Sequence, residues 1–285
     1  MRSFVPDYDL TIVGSLSTAL DFLGANELWR PIAGGTDLMV LFNAGKLPYR
    51  KLVSVREIPE LREIMIGESA VSIGAAVSYT EIRNHPVLQR EFPILCSAAS
   101  WTGGIANQNR GTIGGNIINA SPAADSCPPL LVYDAELELA SKRGTRRVPY
   151  SDFHTGYKEM DLRADELLVR IHMSRRGGEW RQYSRKVGPR KAQAISKVCF
   201  AAAARVSGGV IEDVRIAVGS VAPIPLRCAR AEASLLGQQI SPQLIEQAWQ
   251  TITAEVQPIS DIRSTRDYRR LVTANLLTEF LETLR

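Results

Sequence analysis

The chain has 285 residues, of which 45% are hydrophobic and 22% charged, close to the averages of soluble globular proteins. This length predicts two domains or one large one, and the composition excludes a disordered chain, a collagen-like repeat and a small disulfide-stapled fold. The net charge of +4, from 34 Lys and Arg against 30 Asp and Glu, is too small an excess to indicate nucleic-acid binding.

No segment is typical of a membrane protein or a secreted protein. The longest apolar runs, such as Val198–Ala204, fall far short of the ~20 residues that a membrane helix needs. The N-terminal residues MRSFVPDYDL lack the apolar core of a signal peptide. We therefore expect a cytoplasmic protein without a membrane span.

The cysteines and histidines are not spaced like metal ligands. Zinc and iron–sulfur sites need clustered ligands, whereas these residues are scattered along the chain. The set consists of Cys96, Cys127, Cys199, Cys228, His85, His154 and His172. We expect small reduced thiols and no bound metal.

Short helices and strands are predicted in the first part of the chain. A helix begins after a cap at Ser15 or Ser17, and its apolar face consists of Leu16, Ala19, Leu20 and Leu23. Apolar or β-branched runs predict strands at 28–32, 52–55 and 71–73, and Ser78 opens a helical turn at 79–84.

A glycine-rich stretch follows at 101–125, with the sequence WTGGIANQNRGTIGGNIINASPAAD. Its five glycines and four asparagines show no regular period, so it is predicted to be a loop. Residues 137–140 then read as a strand, and the turn at 142–145 predicts a hairpin.

The composition shifts at SRRGGEW, which places a domain boundary near residue 175. Beyond it, Val198–Val206 and Val210–Val218 flank Ser-Gly-Gly and predict an antiparallel hairpin. Two helices follow. The first is capped by Ser241, with Leu244, Ile245, Ala248 and Trp249 on one face. The last begins near Ser264 and is predicted to bury Tyr268, Leu271, Val272, Leu276 and Phe280. The expected fold class is α+β, with domains at 1–175 and 176–285.

Two glycine-rich loops carry the clearest chemical signal. They are Ala33-Gly34-Gly35-Thr36-Asp37-Leu38 and Thr112-Ile113-Gly114-Gly115-Asn116. Paired glycines let a backbone approach a ligand closely, and successive N–H groups can form a concavity that suits phosphate oxygens. Neither loop matches the Rossmann or P-loop pattern. From the residues alone, the loops are either simple turns or a phosphate-binding pair.

Three motifs taken together resemble a known family. AGGTDLMV, then GTIGGNIINASPAAD about eighty residues later, then YSRKVGPRKAQAISKV, are similar to the FAD-binding subunit of the xanthine dehydrogenase family of molybdenum hydroxylases. The resemblance covers the whole chain. It implies a vanillyl-alcohol-oxidase-type FAD-binding domain, followed by a smaller domain of the molybdenum hydroxylase flavoprotein C-terminal type.

The resemblance also implies roles for particular residues. The first loop, from Ile32 to Leu38, would bind the FAD pyrophosphate, and the second would hold the phosphates and the flavin side through Thr112, Gly114, Gly115 and Asn116. Asp125 would contact FAD, Leu167 would lie near the adenine, and Lys186 would lie near the pyrimidine edge of the flavin. The plainer alternatives are a helix cap for Asp125, a core position for Leu167 and an exposed surface lysine for Lys186. No catalytic residue is implied in this chain.

Two positions depart from the family pattern. Ala106-Asn107-Gln108-Asn109 stands where members commonly have Q-I-R-N, and Ala194 stands where an Asp usually precedes the isoleucine. The resemblance implies that both positions lie where the surroundings of the flavin and the access of the electron acceptor are set. The resemblance therefore leaves the acceptor open, with NAD, oxygen or another molecule as candidates.

The implied function is electron transfer within a complex. A large molybdopterin-binding subunit would hydroxylate a purine, another N-heterocycle or an aldehyde. A small [2Fe–2S] subunit would pass the electrons to FAD in this chain, within a dimerised heterotrimer. Two alternatives stay open from the sequence, a free-standing FAD-dependent oxidoreductase with the C-terminal domain as substrate cap, and a flavin-free interaction module.

Overall fold

A computed structural model describes residues 7–25 and 28–285. The chain opens with a small parallel sheet whose strands pair in the order β1-β3-β2. These strands and their helices are β1 (Asp9–Ile12), α1 (Leu16–Gly24), β2 (Arg30–Ile32), α2 (Leu38–Asn43) and β3 (Lys51–Ser54). Ser15, rather than Ser17, caps α1 by accepting a hydrogen bond from the Thr18 amide.

A five-stranded antiparallel sheet follows, paired in the order β4-β5-β10-β6-β7. After a single 3₁₀ turn at Pro59–Leu61, its strands are β4 (Ile64–Ile66), β5 (Ala70–Gly74), β6 (Glu136–Ser141), β7 (Gly144–Pro149) and β10 (Leu167–Ser174). A two-stranded ribbon consists of β8 (His154–Gly156) and β9 (Glu159–Met160). The predicted strands at 52–55 and 71–73 and the hairpin turn at 142–145 are confirmed.

Seven short helices lie between these strands. They are α3 (Tyr79–Asn84), α4 (Pro86–Glu91), α5 (Pro93–Trp101), α6 (Ile105–Arg110), α7 (Ile113–Ile118), α8 (Cys127–Val132) and α9 (Tyr150–Phe153). The predicted helical turn at 79–84 is confirmed, because Ser78 and Glu81 form a reciprocal capping box at its start.

The prediction that 101–125 is a loop was wrong, because this stretch contains α6 and α7. Thr112 caps α7 through a hydrogen bond from the Gly115 amide. Gly114 packs so closely on Ala75, the residue after β5, that an added Cβ would lie 2.6 Å from the Ala75 carbonyl oxygen. The glycine is therefore required by helix packing, although in sequence it looked like a loop signal.

The C-terminal region is an antiparallel sheet, paired in the order β11-β12-β13-β14 and covered by three helices. Its elements are β11 (Arg181–Val187), β12 (Val198–Ser207), β13 (Val210–Gly219), β14 (Leu226–Arg227), α10 (Ala229–Leu235), α11 (Pro242–Glu255) and α12 (Arg266–Glu282). The predicted hairpin is confirmed, and its turn glycines Gly208 and Gly209 have φ of +55° and +79°.

The central strand β12 joins the two regions, because both of its faces are buried. Phe200 and Ala202 pack against the C-terminal helices. Ala201 and Ala203 point the other way and belong to the core of the first region. The small alanine side chains let this sheet lie against α8, so that one face of the sheet belongs to the core of the first region and the other to the core under the C-terminal helices.

Helix α12 differs from its prediction at its first turns. It begins at Arg266 after a Thr265 cap, and Leu276 and Phe280 are buried as predicted. Tyr268 and Leu271, however, are exposed. In these turns the buried position is occupied by Arg269. Hydrophobic periodicity alone does not assign a charged residue to a core.

Two further findings concern the whole described chain. The four cysteines are buried and unpaired, and burial raises the pKa of the Cys96 thiol to about 11 and of the Cys127 thiol to about 12. No helix in residues 7–25 and 28–285 is both long and apolar enough to span a bilayer.

Candidate functional site

A cavity of about 1430 Å³ lies between the small parallel sheet, the helices of the first region and the C-terminal region. Both glycine-rich loops line it, and so do Asp125 and Leu167. The structure thus brings together all but two of the residues proposed from sequence. Ile32 and Lys186 are the two that do not line the cavity.

The first loop offers a row of free donors. It runs from the end of β2 to the start of α2 and lines the cavity from Ala33 to Leu38. The backbone amides of residues 34–38 donate to no acceptor within the described chain. Gly35 has φ of +75°, a conformation that L-residues rarely adopt. Consecutive unpaired amides of this kind suit the oxygens of a phosphate or pyrophosphate.

Gly34 allows the two loops to touch. A Cβ added there would lie 1.9 Å from the carbonyl oxygen of Arg110, at the residue before Gly111. A Cβ on Gly111 would in turn lie 3.2 Å from the Thr36 hydroxyl. The first loop therefore packs directly on the backbone that leads into the second loop, and no side chain larger than hydrogen fits at Gly34.

In the second loop, in contrast, most backbone amides donate hydrogen bonds to acceptors of the protein itself. The Ile113 amide donates to the Val77 carbonyl at 3.1 Å, and the Gly114 amide donates to the Ala75 carbonyl at 2.9 Å. The Gly115 amide donates to the Thr112 hydroxyl at 3.1 Å. The second loop therefore differs from the first, because these three backbone amides are already paired within the protein.

Asn116 lines the cavity from the second loop. Its Oδ1 accepts a hydrogen bond from the Ser126 hydroxyl at 2.8 Å, and Ser126 lies 3.1 Å from the Tyr79 hydroxyl. Ser126 and Tyr79 are buried, and burial raises the pKa of Tyr79, so the phenol stays protonated. This network fixes the amide so that the Nδ2 of Asn116 remains available to a ligand.

A second polar chain runs along the edge of the cavity. Asn119 donates from Nδ2 to the Asp37 carboxylate at 3.2 Å, and Lys158 donates to the Asn119 Oδ1 at 2.9 Å. Lys158 and Asn119 line the cavity but were not predicted from sequence. Lys158 adopts a φ of +62°, and no sequence pattern marked either residue as part of the site.

Asp125, on the cavity wall, forms a buried ion pair with Lys186, which does not line the cavity. The Lys186 Nζ lies 2.6 Å from the Asp125 Oδ2 and 2.9 Å from the Trp101 carbonyl oxygen. The other carboxylate oxygen accepts from the Ser196 hydroxyl. Burial raises the pKa of Asp125, and the Lys186 ammonium opposes that rise. The surface-lysine alternative is excluded, since the Lys186 side chain is only 8% exposed.

The remaining residues singled out from sequence line the cavity and take part in no polar network described above. Leu167 is buried in the core beneath the small parallel sheet and also borders the cavity. The segment 193–196 lines the C-terminal wall, including Ala194, which stands where the family pattern has an acid, and Ile195. These residues therefore line the same cavity, and their contacts with FAD stay predictions.

Arg269 is a site residue that sequence reasoning missed. It lines the cavity although it is 4% exposed. It donates to the Ser220 carbonyl at 2.7 Å and to the Asp261 carboxylate at 2.6 Å. It thereby ties the turn at 261–264, another part of the cavity wall, to the end of β13.

Two family models cover almost the whole chain. The FAD binding domain in molybdopterin dehydrogenase matches residues 6–174, and the CO dehydrogenase flavoprotein C-terminal domain matches residues 183–284. The flavin-free interaction module is therefore wrong. The free amides of the first loop and the size of the cavity fit FAD.

Two individual relatives of this chain are also named as dehydrogenase subunits. The xanthine dehydrogenase FAD-binding subunit of Escherichia coli O157:H7 is 35% identical over 257 residues, 90% of this chain and 88% of that protein. The glyceraldehyde dehydrogenase medium chain of Sulfolobus acidocaldarius is 30% identical over 269 residues, 94% of this chain and 95% of that one.

A solved structure shows the same architecture. A chain of the carbon monoxide dehydrogenase from Hydrogenophaga pseudoflava aligns with a TM-score of 0.93 at 27% identity, covering 97% of this chain and 96% of that one. The expected α+β fold, with its FAD-binding and flavoprotein C-terminal domains, is confirmed. The chain is thus an FAD-dependent oxidoreductase subunit that belongs to the xanthine dehydrogenase family of molybdenum hydroxylases.

Proposed function

We propose that this chain is the electron-transfer subunit of a molybdenum-dependent hydroxylase. In this role it receives electrons from the [2Fe–2S] clusters of a partner subunit and delivers them, through FAD, to NAD or another acceptor. The main support is the row of unpaired amides at 34–38, in a cavity that both regions of the chain enclose. FAD supplies the ability to exchange electrons singly or in pairs.

The chain's own residues bind and orient the cofactor. The amides from Gly34 to Leu38 hold the pyrophosphate, and Asn116 donates to a second polar part of the cofactor. We infer that Lys186 acts from behind the wall, since its ammonium is paired with Asp125 and with the Trp101 carbonyl, while Asp125 holds the Ser196 hydroxyl at the wall itself. We also infer a FAD-binding domain at 1–175 and a C-terminal domain at 176–285.

The proposed partners are a large molybdopterin-binding subunit and a small [2Fe–2S] subunit, in a heterotrimer that dimerises in the cytoplasm. The substrate is oxidised on the large subunit. The names of the two relatives support a purine or other N-heterocycle first and an aldehyde second.

The test uses the native complex, purified through a tag on this chain. We expect FAD, iron and molybdenum to co-purify, and anaerobic xanthine or an aldehyde to bleach both the cluster and the flavin absorbance. Gly34→Val should remove the flavin and leave cluster bleaching intact. A stable single chain that holds FAD and oxidises substrate alone would support the free-standing oxidoreductase instead.

A further inference from the structure

Three side chains on adjacent strands of the five-stranded sheet form a hydrogen-bonded row. The Ser72 hydroxyl on β5 lies 2.7 Å from Nδ1 of His172 on β10. Nε2 of the same ring lies 2.8 Å from Oε2 of Glu138 on β6. None of the three residues lines the flavin cavity, so the row is separate from the cofactor site.

The strand pattern places all three side chains on the outer face of the sheet. The residues on either side of Ser72, His172 and Glu138 are buried in the core of the first region, so these three point the other way. Ser72 pairs directly with His172 in the register of β5 and β10. The row is partly shielded from water, because the side chains of His172 and Glu138 are only 11% and 23% exposed.

The chemistry of the row fixes the direction of its hydrogen bonds. An ionised carboxylate only accepts hydrogen bonds, so the contact with Glu138 requires a proton on Nε2 of His172. In the neutral ring, Nδ1 then carries a lone pair and accepts from the Ser72 hydroxyl. A nucleophile, a base and a carboxylate thus follow one another in the order that activates a serine for attack on a carbonyl carbon.

A groove and a nearby cation complete the arrangement. The groove has a volume of about 820 Å³, and all three residues of the row line it. Arg170, which also lines it, places Nη1 3.1 Å from Sδ of Met65, the direct neighbour of Ser72 on β4. Nη2 of the same guanidinium donates to the Glu60 carbonyl at 3.0 Å, which holds the group in place. A thioether is a weak acceptor, so the Nη1 donor remains available to an oxyanion that forms at Ser72.

We propose that Ser72 is an activated nucleophile and that this groove hydrolyses small acyl esters, independently of the function proposed above. The Ser72 Oγ bonds to the acyl carbon while its proton passes to Nδ1 of His172, and the leaving alcohol takes up that proton. Water then attacks the acyl-serine through the same base, which releases the carboxylic acid and restores the hydroxyl. Glu138 is a positioning residue that holds the ring and stabilises its charged form.

The test measures covalent labelling of Ser72 in the native complex. A biotin-tagged fluorophosphonate forms an Oγ–P bond with an activated serine and releases fluoride, and mass spectrometry of the peptides identifies the labelled residue. Ser174 lines the same groove and, among the described residues, forms no hydrogen bond with a histidine, so it is the internal control. We expect Ser72 to react roughly 100-fold faster than Ser174. No label at Ser72, or equal labelling of the two serines, would overturn the proposal.

Two variants assign the roles within the row. His172→Asn keeps a polar group near the position of Nδ1 but cannot take up the proton, and we expect it to slow the labelling of Ser72 roughly 100-fold. Glu138→Gln keeps an acceptor for Nε2 without the negative charge and should slow the labelling about tenfold. FAD per chain should match wild type in both variants, because neither residue lines the flavin cavity. Unchanged labelling in His172→Asn would contradict the role of the base.

A second measurement follows turnover with p-nitrophenyl acetate. We expect wild type to release p-nitrophenol at least about tenfold faster than Ser72→Ala, and Ser174→Ala to match wild type. Equal rates in wild type and Ser72→Ala would overturn the hydrolysis. Bleaching of the flavin by substrate should be the same in Ser72→Ala as in wild type, so failure of this proposal leaves the electron-transfer function standing.

Discussion

Gly35 and Gly45 are both held at positive φ, +75° and +65°, but only Gly35 lines the cavity. An alanine at either position costs about 1–2 kcal/mol of backbone strain. At Gly35, relief of that strain also turns neighbouring amides away from the ligand, and each lost hydrogen bond to a charged group costs about 1.5–3 kcal/mol. We expect Gly35→Ala to weaken FAD binding at least tenfold.

Gly45→Ala is the matched control, since no atom lies within 4 Å of an added Cβ there. Thermal unfolding should show a similar loss of stability in both variants, and fluorescence titration should show weakened FAD binding in Gly35→Ala alone. Equal FAD affinity in the two variants would show that the first loop does not bind FAD.

Lys186 is the residue whose predicted role changes most once its surroundings are known. Its ammonium is held by Asp125 and the Trp101 carbonyl, so Lys186→Met leaves a buried carboxylate without its partner. Breaking a buried pair from one side typically costs about 3–5 kcal/mol. We expect a large fall in the unfolding temperature, and recovery of most of it in Lys186→Met/Asp125→Asn.

Calorimetry of the wild type, both single variants and the double variant measures this coupling. Additive effects of the two substitutions would show that the pair does not hold the wall together. Contact between Lys186 and the flavin itself stays a prediction. Sequence could not reveal this pair, because its members lie 61 residues apart and belong to different regions of the fold.

At the scale of elements, the turn before α12 is held by a single carboxylate. Asp261 accepts from the amides of Arg263 and Ser264 at 2.9 and 3.1 Å and from the Arg269 guanidinium. Burial acts to raise its pKa, but these hydrogen bonds prevail and lower it to about 2. The ionised form therefore stabilises the folded protein fully above about pH 4, and this contribution is lost as the pH falls through 2.

We expect Asp261→Asn to be roughly 2 kcal/mol less stable than wild type at neutral pH, with the difference shrinking between pH 4 and pH 2. Asp267→Asn, which changes an 88% exposed side chain, serves as the control and should alter the stability at neutral pH much less. Thermal unfolding across this pH range measures both variants. A constant difference between wild type and Asp261→Asn would show that the carboxylate charge does not hold the turn.

Elements with strong local signals could be predicted from sequence, and those decided by packing could not. The caps at Ser15, Ser78 and Ser241 and the Gly208–Gly209 turn are local, and each lies where it was predicted. Helix α7 was missed because its Gly114 serves close packing against Ala75, the residue after β5. Tyr268 is exposed because the neighbouring Arg269 occupies the buried position. Arg269 is held there by residues distant in sequence, which local patterns do not reveal.

At the scale of the whole molecule, one carboxylate accepts hydrogen bonds from three arginines on different segments of the chain. Asp134 follows α8 with φ of +50°. It accepts from Arg176 at 2.5 Å, from Arg215 on β13 at 3.2 Å and from Arg227 on β14 at 2.7 Å. The site joins the first region to the C-terminal sheet, and the segment 193–196 that connects β11 to β12 of this sheet lines the flavin cavity. Its charge therefore bears on how firmly the two walls enclose the cofactor.

Asp134→Asn tests this link with little backbone strain, because asparagine tolerates positive φ. Three arginines then face one another without their shared anion, and we expect the two walls to separate more often and FAD to dissociate about tenfold faster. Glu212→Gln, which breaks an exposed pair with Arg205 in the C-terminal hairpin, serves as the control and should leave the rate unchanged. Dilution of the holoprotein, followed by flavin fluorescence, measures the rate. Equal rates in Asp134→Asn and wild type would show that cofactor retention depends on the loops alone.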